Sequence, residues 1–197
     1  MIAPRADWTD TPLARLMAHA ERADRSLHLH SRSVARLSVE IGRALDLAPP
    51  QLAVLALAAA VHDIGKIGVP REILTKPGPL DARERAAVER HPADGERLLE
   101  PHVDSVDVLA IVRSHHERWD GGGYPDRLVA EQIPLGARIV AVADAFTAMV
   151  EARPYRDAKS VDRARSELLE QAGLQFDPIC ARAGADVTDR PIAAVGS

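Results

Sequence analysis

An all-α fold, a helical bundle, is expected from this sequence. Apolar residues recur at three- and four-residue steps in segment after segment, and strand-like alternation is scarce. Aromatic side chains make up only 3% of the chain, while Ala, Leu and Val dominate the 46% hydrophobic fraction, a composition that favours helix over sheet. With 197 residues the chain is long enough to bury one core.

The elements follow in order. Residues 1–12 are polar and contain proline, and lead into a short helix carrying Leu13, Leu16 and Met17, so 1–23 reads as a lead-in. Leu27, His30, Val34, Leu37, Ile41 and Leu45 then form one amphipathic face, which puts His30 on a buried stripe. Pro49-Pro50 opens the next helix, expected over 50–64, apolar nearly all round and closed by His62-Asp63. Gly65, Gly68, Pro70, Pro77, Gly78 and Pro79 mark a loop-rich connector over 65–80. A charged helix follows from Ala82 to Arg90, and His91, standing before Pro92, is pushed to a helix end or kink.

Val106, Leu109, Val112 and His116 repeat a helical face with His115 beside it, and a glycine-rich loop, Asp120-Gly121-Gly122-Gly123-Tyr124-Pro125, hangs off that pair. Pro134 opens a helix through Asp144 to about Val150, and a last helix near Ser160–Gln171 stops at Gly173. The packed domain is expected over 24–181, with 182–197 a disordered tail too polar and unpatterned to pack.

Composition excludes some functions. With 25 basic and 29 acidic residues the net charge is −4, which opposes bulk attraction to a nucleic-acid polymer or an anionic membrane. The longest apolar run, Leu52 to Val61, is far short of the roughly 20 residues that span a bilayer, so a cytoplasmic protein without a membrane span is expected. The single cysteine, Cys180, excludes an internal disulfide and receives no role.

The chemistry lies in His30, His62, Asp63, His91, His115, His116 and Asp144. Each alone reads as an ordinary core or surface residue. Together they fall at or near the inner ends of successive helices, which is how metal sites are built in bundle cores. Asp144 is costly to bury in so apolar a stretch unless it is paired or coordinated. Adjacent side chains on a helix point about 100° apart, so His62 can serve one ion while Asp63 leans toward a second. Two-metal sites of this kind hydrolyse phosphate esters or peptides through a bound water. Imidazole and carboxylate ligands suit iron, manganese, zinc, cobalt or nickel.

His30-Ser31, His62-Asp63-Ile64-Gly65-Lys66-Ile67-Gly68, Lys76-Pro77-Gly78-Pro79-Leu80, Arg90-His91-Pro92, His115-His116-Glu117-Arg118-Trp119-Asp120-Gly121 with Gly123-Tyr124-Pro125, and Arg153-Pro154-Tyr155-Arg156 resemble the HD-GYP family of cyclic di-GMP phosphodiesterases. The resemblance implies an HD-type helical bundle with a metal site in its core, hydrolysing cyclic di-GMP to linear pGpG or GMP. It implies two divalent transition-metal ions, iron or manganese first, with zinc, nickel and cobalt as alternatives. It puts His30, His62 and Asp144 on one ion and His91, His115 and His116 on the other, with Asp63 bridging. It makes Lys66 a catalytic group neutralising phosphate charge, and lines the nucleotide cleft with Lys66, Gly123, Tyr124, Pro125, Arg153 and Arg156. Many family members carry a glutamate where this chain has Ser26, so two ions rather than three are expected; Ser33 and Leu174 also depart from the pattern. A separate sensor, receiver or diguanylate cyclase protein is the implied partner. The competing readings are a non-catalytic module that binds a cyclic dinucleotide or a partner, and an HD phosphohydrolase of another nucleotide.

Overall fold

Prolines and short polar side chains set the helix boundaries. The computed structural model describes residues 11–23, 25–152 and 157–189, with ten α-helices among them. The first three are α1 (Pro12–Ala23), α2 (Arg25–Ala44) and α3 (Pro49–Val61); α3 starts on two prolines whose missing N–H groups would have no helical partner there. A 3-10 turn (Ile64–Gly68) and the one-turn α4 (Arg71–Leu74) fill the expected connector. Helix α5 (Ala82–Glu89) begins with a reciprocal cap: Asp81 accepts from the Glu84 N–H at 2.9 Å, and Glu84 accepts from the Asp81 N–H at 2.8 Å. Next come α6 (His91–Leu99), α7 (Val106–Ser114), α8 (Leu135–Val150), α9 (Val161–Glu170), capped by Ser160, and α10 (Pro178–Val187).

Helix α2 lies against α3, α8 and α10, while α7 packs on α3, α6 and α8. Val34 and Ile41 of α2, Leu55 and Ala58 of α3, Val112 of α7 and Ile139, Val140 and Ala143 of α8 form one continuous apolar core. Each large side chain removed from water there contributes about 1.5–3 kcal/mol, enough in sum to hold several buried ionisable groups in place. Among the described residues no strand forms; the bridge between Ala172 and Phe176 is isolated. The all-α expectation holds.

Four details differ from the sequence reading. Helix α3 ends at Val61 rather than 64, so Asp63 sits outside the helix at φ −95°, ψ 7°, in the sparse region between helix and strand that active-site residues often occupy. The buried face of α7 is Val108, Ile111 and Val112, with Val106 76% exposed, and His116 lies past the helix end. Helix α6 was not anticipated, although Pro92 at its start and Asp94 in its first turn are ordinary start signals. Packing also runs beyond residue 181: α10 continues to Val187 and buries Ala183, Gly184 and Ala185. Its start is tied down by Asp177, which accepts from the Ile179 N–H at 2.7 Å and receives the Arg138 guanidinium at 2.7 Å.

Pro49–Gly68 is the one described stretch apolar and long enough to cross a membrane. Only 13 of its residues are in α3, and that helix is embedded between α2 and α7.

Candidate metal centre

Five helices meet at one point of the core, three of them by an end. His62 and Asp63 leave the end of α3, His91 starts α6, His115 and His116 follow the end of α7, and His30 on α2 faces Asp144 on α8. His62, His91 and His115 are at most 1% exposed, and Asp63 is 4% exposed.

Three of the rings are oriented in the same way. The Nδ1 of His62, His91 and His115 each meets the carbonyl oxygen three residues back, that of Ala59, Val88 and Val112, at 2.8, 2.7 and 2.6 Å. A carbonyl can only accept, so each Nδ1 carries its proton and donates it, and each Nε2 of the neutral ring presents a lone pair. These lone pairs converge. His91 Nε2 and His115 Nε2 are 3.3 Å apart, and Asp63 Oδ1 lies 3.1 Å from the first and 3.8 Å from the second. His62 Nε2 and Asp63 Oδ1 are buried with no hydrogen-bond partner. Acceptors gathered this closely repel one another unless a cation or proton lies between them.

The potential ligand atoms fall into two groups, each within 4.8 Å: Asp63, His91, His115 and His116 in one, and His30, His62 and Asp144 in the other. Asp63 faces both, since its Oδ1 points at His91 and His115 while its Oδ2 is 3.4 Å from His62 Nε2. Donor type, burial and the orphaned lone pairs all fit a divalent metal centre.

Electrostatics agree with that fit. Burial presses on the Asp63 carboxyl to stay protonated, but Lys66 at 2.6 Å and the surrounding imidazoles hold it ionised, well below the usual carboxylate range. Burial lowers the His115 pKa to about 4, and burial with the neighbouring His115 lowers His116 well below an ordinary imidazole. Neutral rings are what metal ligation requires. His30 goes the other way: burial would lower it, but it donates to Asp144 at 2.8 Å through Nε2 and to Glu151 at 2.8 Å through Nδ1, which together raise it.

Lys66 is thus at the centre's edge, paired with Asp63 Oδ2. Gly123, Tyr124 and Pro125 follow as the outer wall, the Tyr124 ring lying 5.0 Å from the His116 ring, centroid to centroid. Arg153 and Arg156 lie outside the described residues, as does the side chain of Ser26.

Residues not singled out by the sequence reading complete the site. Glu117 is 3% exposed and accepts the N–H groups of Asp126 at 2.6 Å and Leu128 at 3.1 Å, bracing the glycine loop from beneath. Gly123 lies so close to the Glu117–Arg118 backbone that a Cβ would fall 2.4 Å from the Arg118 nitrogen. Glu151 orients His30, and its sequence signal is an acid seven residues beyond Asp144, where it caps the end of α8.

A family profile for the HD domain matches residues 13–179. Over 171 residues the chain is 41% identical to the cyclic di-GMP phosphodiesterase response regulator RpfG of Xanthomonas campestris pv. campestris, covering 85% of this chain and 45% of that protein. Over 173 residues it is 36% identical to 3'3'-cGAMP-specific phosphodiesterase 2 of Vibrio cholerae, covering 86% and 33%. The solved structure of Bd1817, an HDG"Y"P protein of Bdellovibrio bacteriovorus, shares the fold at TM-score 0.70 and 20% identity, covering 90% of this chain and 58% of that one. The chain spans less than half the length of these curated relatives.

Proposed function

The chain belongs to the HD domain family, and on that premise we propose that it is a metal-dependent phosphodiesterase of cyclic di-GMP, yielding linear pGpG or GMP. The supporting observation is the pair of acceptor groups with Asp63 in one and its second oxygen turned toward His62 of the other. In this reading His30, His62 and Asp144 hold one divalent ion, His91, His115 and His116 hold a second, and Asp63 bridges. The imidazole and carboxylate donors admit iron, manganese, zinc, nickel or cobalt, and the family resemblance puts iron or manganese first. Bound there, two ions supply Lewis-acid polarisation of the phosphate and activation of water near neutral pH.

The chain's own residues do the rest. The Nδ1–H bonds to Ala59, Val88 and Val112 hold three imidazoles in the Nε2-ligating tautomer before any ligand arrives. Lys66 carries a positive charge beside Asp63 and faces the charge that builds up on a phosphate oxygen or the leaving group. Tyr124 offers a flat apolar face beside the centre for a base, and Gly123 lets backbone approach it. Arg153 and Arg156 are retained as phosphate-contacting candidates. The reading carries a cytoplasmic location, and a separate sensor, receiver or diguanylate cyclase as the protein partner.

The test is chromatographic analysis of cyclic di-GMP incubated with anaerobically purified protein of measured metal content. Linear dinucleotide or GMP should appear, stop when metal is removed by a chelator, and return on its re-addition. About two metals per chain with no turnover would point to another phosphoester or to a binding module.

Glu151 gives a separate expectation. Its carboxylate fixes the His30 ring from behind, as carboxylates commonly do for metal-bound histidines. Glu151→Ala should lower metal affinity at the His30 group about 10–100-fold, read as loss of roughly half the bound metal on dialysis while the helical content is unchanged. Full retention of metal would remove Glu151 from the site.

A further inference from the structure

A cavity of about 570 Å³ opens between the end of α5 and the glycine loop, with Glu89 and Arg90 on one side and Tyr124 and Arg127 on the other. Its size is that of a small-molecule site. Glu89 is half-buried there, and none of the side chains of Glu89, Arg90 and Arg127 has a hydrogen-bond or ion-pair partner among the described residues. Charged side chains elsewhere on this surface pair readily: Arg113 binds Asp126 and Glu96, and Arg118 binds Asp120. A carboxylate and two guanidiniums that share a cavity without pairing are available to a ligand.

Tyr124 is the wall common to this cavity and the metal centre. Its ring contacts that of His116, and its hydroxyl is held protonated, its pKa raised by burial first, then by the negative charge of Glu89 on the cavity side and of Asp63 and Asp144 on the other. Tyr124 thus lies between the centre and the cavity, so a nucleotide with its phosphate at the centre would reach the cavity past this ring. The carboxylate selects which base. Guanine presents N1–H and the N2 amino group as adjacent donors, matched to the two oxygens of one carboxylate, while its O6 and N7 acceptors match an arginine fork. Adenine offers a lone pair at N1, which a carboxylate repels, and has no N2 amino group. Gly121 and Gly122 leave the loop backbone bare beside the base plane.

We propose that this cavity is a guanine-reading subsite in which Glu89 is the specificity-determining residue and Arg90 and Arg127 bind the opposite edge of the base or its phosphate. The proposal rests on the phosphodiesterase reading for the identity of the substrate, but not on turnover. One such subsite reads one base of a cyclic dinucleotide, so cyclic di-GMP and 3'3'-cGAMP satisfy it and cyclic di-AMP does not.

Calorimetric binding of GMP and of AMP to the metal-loaded protein tests it, with Glu89→Gln and Glu89→Asp beside the unaltered chain and metal content measured for each. The unaltered protein should bind GMP at least about tenfold more tightly than AMP, the discrimination of one bidentate base contact. Glu89→Gln should bring the ratio to about one through loss of GMP affinity, with metal content unchanged, and Glu89→Asp should restore part of it. GMP affinity in Glu89→Gln within twofold of the unaltered chain, equal binding of GMP and AMP by the unaltered chain, or no GMP binding would each overturn the subsite. Failure of the phosphodiesterase reading shows differently, as absence of cyclic di-GMP hydrolysis by the unaltered chain.

Discussion

Asp63→Ala is expected to leave a folded helical protein whose cyclic di-GMP hydrolysis falls by about 10³-fold or more. The carboxylate turns an oxygen toward each set of imidazoles, Oδ2 at 3.4 Å from His62 and Oδ1 at 3.1 Å from His91. In the proposed two-ion reading, its loss would leave six candidate ligands in two separated sets. The fold should tolerate the change, because the partner left behind, Lys66, is 22% exposed and can turn its ammonium to water. Removing a buried carboxylate also removes its desolvation cost, which offsets the lost ion pair. Asp63→Asn separates charge from shape: it keeps the side-chain volume, loses the negative charge, and should lose metal and turnover nearly as fully as alanine. Far-UV circular dichroism, metal analysis and product chromatography on the three proteins read this out. Turnover close to that of the unaltered chain in Asp63→Ala would remove the bridging role and, with it, the two-ion assignment.

The candidate ligand set was legible because histidine and aspartate are expensive to bury, so their recurrence where apolar helices end points to a cation that offsets the cost. His62 with Asp63, His91 before Pro92, and His115 with His116 could each be placed at a helix end from proline, glycine and apolar spacing alone. What the spacing could not supply is orientation. That three rings donate Nδ1–H to the carbonyl three residues back depends on rotamers at the first turn past or before a helix. Glu117, Glu151 and Glu89 look like any surface acid in the sequence, and their roles come from which backbone, ring or cavity they meet in three dimensions. Helix α10 was missed for a different reason. Its buried face is built from Cys180, Ala181, Ala183 and Ala185, small side chains that allow close packing but carry little hydrophobic contrast against their neighbours. The shift in the buried face of α7 has the same origin, since Val106, Val108, Leu109, Ile111 and Val112 are apolar on more than one side and leave the period ambiguous.

Among the described glycines, Gly65→Ala should be the most damaging substitution, acting on stability and metal binding together. Gly65 lies in the 3-10 turn directly after Asp63, against the start of α6. A Cβ there would fall 2.0 Å from the His91 carbonyl oxygen and 2.6 Å from the Gly95 nitrogen. Both are backbone atoms of one helix, so no side-chain rotation relieves the clash, and the turn must move away from α6. Overpacking of this kind costs about 3 kcal/mol, which for a chain of this size lowers the melting temperature by about 6–12 °C. The same displacement separates Asp63 from His91, two groups now 3.1 Å apart on either side of the contact, and a misplacement near 1 Å at reacting groups can cost about 10²-fold in rate. Gly68→Ala is the control within the same turn, because a Cβ at Gly68 meets nothing within 4 Å. Thermal melts and metal analysis should therefore show Gly68→Ala like the unaltered chain and Gly65→Ala impaired in both. Equal behaviour of the two variants would mean that the approach of the turn to α6 does not set the spacing between Asp63 and His91.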